Sequence, residues 1–115
     1  MLSQSAFLLI EYLRVECMQA NRKADLTGCL KTTKARASNL TLPHGRVSLP
    51  IFMPVATQAS LKGLTPTQLA QTGCNLCLNN TYHLGLKPGQ ETMEKVGGAH
   101  ALQGWKGNIL TDSGG

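Results

Sequence analysis

Between residues 50 and 111 the chain alternates short apolar runs with segments that carry helix signals, and this alternation most restricts the fold. The apolar runs are residues 50–57, 74–78 and 108–111, and the helical segments are residues 64–73 and 88–96. Strands that are apolar on successive residues are typical of parallel sheets, whose two faces are both covered. The order strand, helix, strand, helix, strand therefore predicts right-handed crossovers and an α/β fold with about three parallel strands.

A small antiparallel hairpin is predicted ahead of the first parallel strand. Residues 39–42 and 46–49 are short strand candidates, and Pro43, His44 and Gly45 between them form a turn signal. His44 is therefore interpreted as a turn residue rather than a ligand.

The N-terminal third of the chain has a different character. Apolar side chains recur at helical spacing over residues 6–19, whereas residues 21–38 are basic and threonine-rich and predict a linker or loop. Most of the net charge of +5 lies in this part, which favours either contact with phosphates or a solvated arm. We divide the chain into a basic arm with a short helix, residues 1–38, and the start of a larger domain, residues 39–115.

The four cysteines are too sparse for a disulfide framework, so reduced thiols and an intracellular compartment are expected. Cys74 and Cys77 have the spacing of a metal or redox motif, but a second ligand pair is missing. Residues three apart also point to opposite faces of a strand, so core thiols are favoured over a metal site. No apolar run approaches the roughly 18 residues of a membrane span, and Glu11 interrupts the one candidate for a secretory signal.

Polar loops follow the ends of the three predicted parallel strands. They occupy residues 55–57, 79–83 and 112–115. In a parallel sheet all three emerge at the same edge, where ligands bind. Asp112 could act there as a general acid or base, or accept from two adjacent donors such as N1–H and N2–H of guanine. Alternatively it is a loop carboxylate that accepts backbone N–H groups. An asparagine nearby could orient the carboxylate or share the edge of a base.

Six blocks of residues occur in an order that resembles one known family. They are Leu42-Pro43-His44-Gly45, Phe52-Met53-Pro54-Val55, Thr57-Gln58-Ala59, Asn80-Thr81-Tyr82-His83-Leu84, Pro88-Gly89 and Leu110-Thr111-Asp112-Ser113-Gly114-Gly115. The chain from about residue 35 to residue 115 resembles the N-terminal part of the tRNA-guanine transglycosylases, the queuine tRNA-ribosyltransferase family. The block from Asn80 and the block that ends at Gly115 are together highly specific.

The resemblance implies a fold and an activity. The fold is the N-terminal portion of a (β/α)₈ TIM barrel, with about three parallel strands, preceded by a small antiparallel β-hairpin. The activity is that of a pentosyltransferase, which exchanges guanine for queuine at the wobble position of tRNAs with a GUN anticodon. In the family, a second aspartate attacks the ribose and forms a covalent ribosyl-enzyme intermediate.

The same resemblance implies roles for individual residues. Asp112 is the catalytic acid/base residue, which handles protons of the leaving and entering bases and contacts the base. The base-binding residues implied are Asp112, Ser113, Gly114, Gly115, Asn80, Val55 and Leu78. Tyr82 and His83 are expected to be packing residues. The family usually has glycine where Ala56 stands, so a methyl group is expected to narrow the approach to the backbone.

Other parts of the family's machinery are expected beyond Gly115. These are the covalent nucleophile, five barrel strands and the ligands of a structural zinc, so Cys74 and Cys77 are not zinc candidates and this chain holds no metal. Eukaryotic members have a non-catalytic paralogous subunit and are cytoplasmic, in part at the mitochondrial outer membrane. The chain alone is therefore expected to be inactive; the alternative function is an interaction module for a subunit or RNA.

Overall fold

The computed structural model describes residues 23–29 and 35–114; the helix predicted at residues 6–19 lies outside them, as does Gly115. The strands are β1 (Lys23–Cys29), β2 (Arg36–Leu42), β3 (Gly45–Leu49), β4 (Leu76–Asn80) and β5 (Asn108–Asp112). The helices are α1 (Pro66–Gln71), α2 (Thr81–Leu84), α3 (Gln90–Val96) and α4 (Ala99–Gln103). Within this described part, no helix is long and apolar enough to cross a membrane.

The first three strands form an antiparallel sheet in the order β1-β2-β3. The predicted hairpin is confirmed as β2 and β3. The prediction of a linker or loop over residues 21–38 is wrong for β1 and for the start of β2. β1 pairs with β2 along its length, with one irregularity in register between Leu26 and Gly28. Pairing with a neighbouring strand decides the structure here, and the local sequence pattern does not report that pairing.

β4 and β5 are parallel neighbours, as predicted. The first predicted parallel strand, residues 50–57, is reduced to one bridge between Val55 and Leu78. Its short extent follows from Pro50 and Pro54, which have no N–H group for a ladder. At the bridge, Leu78 N donates to Pro54 O at 2.9 Å and its carbonyl accepts from Ala56 N at 2.7 Å. Since both backbone groups of Leu78 point to this segment, β5 lies along the other edge of β4.

Helix α1 begins with a complete capping box, as its sequence predicts. Thr65 Oγ1 accepts from Gln68 N at 3.3 Å, and Gln68 Oε1 accepts from Thr65 N at 2.9 Å. Pro66 occupies the first turn, where a missing N–H costs nothing. After the helix, Gly73 takes a φ of +80° that favours glycine.

Replacing Thr65 with Ala is expected to lower the free energy of unfolding by about 1 kcal/mol, because the Gln68 N–H loses its acceptor. Thr65→Ser keeps the hydroxyl and serves as the matched control. Urea unfolding followed by circular dichroism measures both variants. Equal stability of the two would show that the capping hydroxyl contributes nothing to this helix.

Two helices lie where loops were expected. The polar loop predicted over residues 79–83 is wrong, because β4 runs to Asn80 and α2 follows without a break. Helix α4 replaces the loop expected around His100, and its N-cap, Gly98, makes no side-chain hydrogen bond that would mark the start. The predicted second helix is confirmed as α3, which follows a kinked segment, Gly85–Gly89, and ends before Gly97.

The helices cover one face of the parallel strands and form two hydrophobic clusters there. One contains Ala59, Leu84, Met93 and Ala99, and the other contains Leu69, Cys77 and Trp105. Ile109 of β5 packs against both clusters and so joins them. Cys77 is completely buried, and desolvation raises the pKa of its thiol, as expected of an unreactive core thiol.

The β2–β3 turn is attached to the start of β5 by the buried side chain of Asn108. Its Oδ1 accepts from His44 N at 3.1 Å, and its Nδ2 donates to Gly45 O and to Asn75 O, each at 3.3 Å. The His44 ring also stacks on His100 of α4, with ring centroids 3.9 Å apart. His44 is a turn residue, as predicted, and the antiparallel sheet is thereby fixed to the amino-terminal edge of the parallel strands.

Candidate active site

Four of the predicted base-binding residues lie on one face of the parallel strands. Asn80 is the register partner of Asp112, and Leu78 is the partner of Leu110. Val55 bridges to Leu78 from the other side. Side chains alternate between the faces of a strand, and register partners point the same way. The polar pair Asn80 and Asp112 therefore lies at the carboxyl edge of the sheet. It follows the apolar residues Leu78 and Leu110 by two positions in each strand.

The part of this face around Val55 and Leu110 is open, in contrast to the face that the helices cover. Val55 is 59% exposed and Leu110 is 44% exposed, although both are apolar. On the covered face, Cys77 is completely buried and Ile109 packs into both hydrophobic clusters. An apolar surface with a polar rim suits a flat ring whose edge carries hydrogen-bonding groups.

Asp112 ends β5 and folds the next residues back onto its own carboxylate. Its Oδ1 accepts from Ser113 N at 2.7 Å and from Gly114 N at 3.2 Å. The residue is exposed, and within residues 23–29 and 35–114 the hydrogen bonds of its carboxylate all use Oδ1. Oδ1 thus accepts from the loop backbone, as expected for a loop carboxylate. Oδ2 accepts no hydrogen bond from the described residues.

Gly114 lies close against this carboxylate. A Cβ placed on Gly114 would lie 3.5 Å from Asp112 Oδ2 and 3.6 Å from Oδ1. The missing side chain leaves Oδ2 uncovered on that side, which is one physical reason for a glycine here.

Asn80 is almost completely buried, at 9% exposure. Its Nδ2 donates to Gly114 O at 2.5 Å, and its Oδ1 accepts from His83 N at 3.1 Å. Because Asn80 is the last residue of β4 and the N-cap of α2, one amide contacts both the glycine loop and the next helix.

Other residues singled out by the sequence lie differently from expectation. Ala56 is completely buried, and alternation from Val55 puts its methyl group on the helix-covered face. The expected narrowing of the approach to the backbone by this methyl group stays a prediction. Tyr82 is 41% exposed and contacts the edge of His83, with ring centroids 5.5 Å apart, so it is not a core residue.

The sequence reasoning missed Leu110 as part of the open face. Its signal was present, because Leu110 stands two residues before Asp112 in a strand and so shares its face. Gly115, the last of the predicted base-binding residues, lies outside the described residues.

Comparison with known proteins shows which family this chain resembles. The family model "Queuine tRNA-ribosyltransferase" matches residues 29–115. The queuine tRNA-ribosyltransferase catalytic subunit of Schizosaccharomyces pombe is 66% identical over 84 residues, which cover 73% of this chain and 21% of that protein. The queuine tRNA-ribosyltransferase of Desulforamulus reducens is 54% identical over 85 residues, covering 74% of this chain and 23% of that enzyme.

A third relative, the catalytic subunit of Caenorhabditis elegans, is 52% identical over 81 residues, which cover 70% of this chain. The chain spans about a fifth of the length of these relatives, at 20% to 23%. The family predicted from the six sequence blocks is confirmed, and the chain belongs to the queuine tRNA-ribosyltransferase family.

Proposed function

We propose that this chain supplies the acid–base part of the base pocket of a tRNA-guanine transglycosylase. The enzyme exchanges guanine for queuine at the wobble position of tRNAs with a GUN anticodon. The observation that supports this most directly is the position of Asp112, at the carboxyl edge of a parallel strand beside an open apolar face. Catalytic groups occupy that edge in α/β barrels.

In the proposed reaction, an aspartate elsewhere in the full-length enzyme attacks the ribose and forms the covalent ribosyl-enzyme intermediate. The bond between ribose and guanine breaks, and Asp112 gives a proton to the departing base. When queuine enters, it displaces the nucleophilic aspartate: the bond between ribose and that aspartate breaks as the bond between ribose and queuine forms, and Asp112 takes the proton that queuine loses. The proton count of Asp112 is restored after each exchange, so the residue acts catalytically.

Four further residues complete the pocket on this side. Val55 and Leu78 provide the apolar surface against which the face of the base lies. The Ser113–Gly114 turn orients Asp112 through hydrogen bonds of both its N–H groups to Oδ1. With Oδ1 occupied, Oδ2 is the oxygen that meets the base.

The zinc implied by the family is not assigned to these residues. Among the described residues there is no group of three or more His, Cys, Asp or Glu side chains that could hold a metal ion. Cys77 lies in a hydrophobic cluster, and the Cys74 thiol donates to Leu76 O. We propose that the zinc ligands, the covalent nucleophile and the remaining barrel strands belong to the part of the family that this chain does not cover.

The proposed partners are the substrate tRNA, queuine and, by analogy with eukaryotic members, a non-catalytic paralogous subunit. A cytoplasmic location, in part at the mitochondrial outer membrane, belongs to the same proposal. The basic arm, residues 1–38, lies largely outside the described residues and stays a candidate for contact with RNA.

A chimera tests the proposed function. Residues of this chain replace the matching 84-residue segment of the Schizosaccharomyces pombe catalytic subunit. Incorporation of labelled guanine into a GUN tRNA is then measured, with and without the paralogous subunit. We expect exchange within about tenfold of the parent enzyme. The same tRNA with adenine at the wobble position is the control for substrate specificity.

A folded chimera that exchanges no guanine, beside an active parent enzyme, would contradict the proposed function. The 115-residue chain is assayed in parallel. Guanine exchange by that chain alone would contradict the proposal that the covalent nucleophile belongs to the part of the family that this chain does not cover.

A further inference from the structure

We propose that Asn80 is a positioning residue, which acts on Asp112 through the carbonyl group of Gly114 and makes no contact with the base. This proposal rests on the proposed function and deepens it. The sequence left two roles open for an asparagine at this place, to orient the carboxylate or to share the edge of the base. The hydrogen bonds of Asn80 favour the first role.

Gly114 connects Asn80 to Asp112 because both of its backbone polar groups are engaged. Its N–H donates to Asp112 Oδ1 at 3.2 Å, and its carbonyl accepts from Asn80 Nδ2 at 2.5 Å. The peptide groups on either side of Gly114 are thereby held from opposite sides. Without the contact to Asn80, the carbonyl of a glycine is free to rotate, since glycine has the widest range of backbone conformations.

The other end of the Asn80 amide is fixed equally well. Its Oδ1 accepts from His83 N in the first turn of α2. Asn80 itself lies at the end of a parallel strand, with Asp112 as its register partner. The orientation of Gly114 is therefore determined by a strand and a helix rather than by the loop alone. Groups held this way by rigid elements are the usual support of an active site.

Asn80 and Asp112 differ in burial, and this difference supports different roles for the two residues. Asn80 is 9% exposed, while Asp112 is exposed at the same edge of the sheet. A base that rests on Val55 and Leu78 meets the exposed carboxylate at the edge. The buried amide is already engaged by Gly114 through Nδ2 and by the first turn of α2 through Oδ1.

The first test is Asn80→Ser in the chimera. Serine caps helices about as well as asparagine, so the His83 N–H keeps an acceptor. Its short side chain cannot reach the carbonyl of Gly114. We expect kcat to fall about 10- to 100-fold, as is usual when a reacting group is misplaced by about 1 Å, with KM for tRNA unchanged. Asn39→Ser makes the same chemical change at a partly buried asparagine of β2, whose bond to Ser48 is exposed, and is expected to leave kcat unchanged.

The second measurement is rapid hydrogen exchange at Ser113 and Gly114, which does not depend on activity. We expect exchange at these two amides to be about 3- to 10-fold faster in Asn80→Ser, because a hydrogen bond that orders the loop is lost. Amides of α2 keep their protection because the cap is retained. Asn80→Thr, which also keeps a capping hydroxyl, replaces the serine variant if that protein does not fold.

Three outcomes decide the proposal. The proposal is supported if Asn80→Ser has a lower kcat and faster hydrogen exchange at Ser113 and Gly114, with an unchanged competitive inhibition constant for guanine. Weaker guanine inhibition with unchanged loop exchange overturns it and makes Asn80 a base-binding residue. An unchanged kcat together with unchanged hydrogen exchange at Ser113 and Gly114 also overturns it. If the unmutated chimera itself exchanges no guanine, the proposed function fails, whereas hydrogen exchange still reports whether Asn80 holds the loop.

Discussion

Asp112→Asn in the chimera is expected to lower guanine exchange by between about 10²- and 10⁴-fold, the usual contribution of a general acid or base. The amide oxygen of asparagine can still accept from Ser113 N and Gly114 N, so the loop keeps its shape. What is lost is an oxygen that can carry and release a proton at the base. Because Asp112 is exposed, the substitution buries no polar group, and we expect the melting temperature to stay within about 1 °C.

Glu91→Gln is the matched control for this result. It also converts a carboxylate to an amide, at a side chain that is 83% exposed and, among the described residues, is bonded to Lys95 in the next turn of α3. We expect no change in exchange from the control, because a surface ion pair of this kind contributes little. Exchange by Asp112→Asn at more than about a tenth of the unmutated rate would exclude the proposed proton transfer.

The arrangement of the open face could be predicted from the sequence because it depends on a simple period. Parallel strands align their carboxyl ends, and residues two apart share a face. These rules bring an asparagine after the second strand close to Asp112, whereas the choice of Asn80 and Leu78 came from the family resemblance, because residues 79–83 were predicted as a loop. Its position alone does not identify Asp112 as a general acid or base, because a carboxylate at the end of a strand can equally well accept hydrogen bonds from its own loop. That role was inferred from the family's sequence blocks. In the structure Asp112 does serve its loop, through one of its two oxygens.

The missed elements lack the local signals on which sequence reasoning depends. The N-cap of helix α4 is Gly98, which has no side chain to cap the helix, and α2 is capped by Asn80, which also ends a strand. Strand β1 is specified by its pairing with β2 rather than by an apolar period. For β1 the decisive partner is a neighbouring strand, and single-sequence patterns do not contain that contact.

Asn108 illustrates the same limit, because nothing in the sequence distinguishes it from other strand-start asparagines. It is 2% exposed, and its side chain joins the β2–β3 turn to the starts of β4 and β5 with three hydrogen bonds. Asn108→Ala removes all three and leaves the N–H of His44 and the carbonyl of Gly45 without this partner. Its own backbone bonds, to Asn75 and Trp105, are kept.

We expect Asn108→Ala to destabilise the protein by about 2 to 4 kcal/mol, since each lost hydrogen bond contributes about 1 kcal/mol and buried groups left unpaired cost more. In the chimera this lowers the melting temperature by about 2 to 5 °C. Asn39→Ala is the control, because it deletes one exposed hydrogen bond, to Ser48, and should change stability by no more than about 0.5 kcal/mol. Hydrogen exchange locates the effect: faster exchange at His44 is expected in Asn108→Ala and unchanged exchange in Asn39→Ala. Equal melting temperatures for the two variants would mean that the antiparallel sheet is held by the stacked rings of His44 and His100 rather than by this amide.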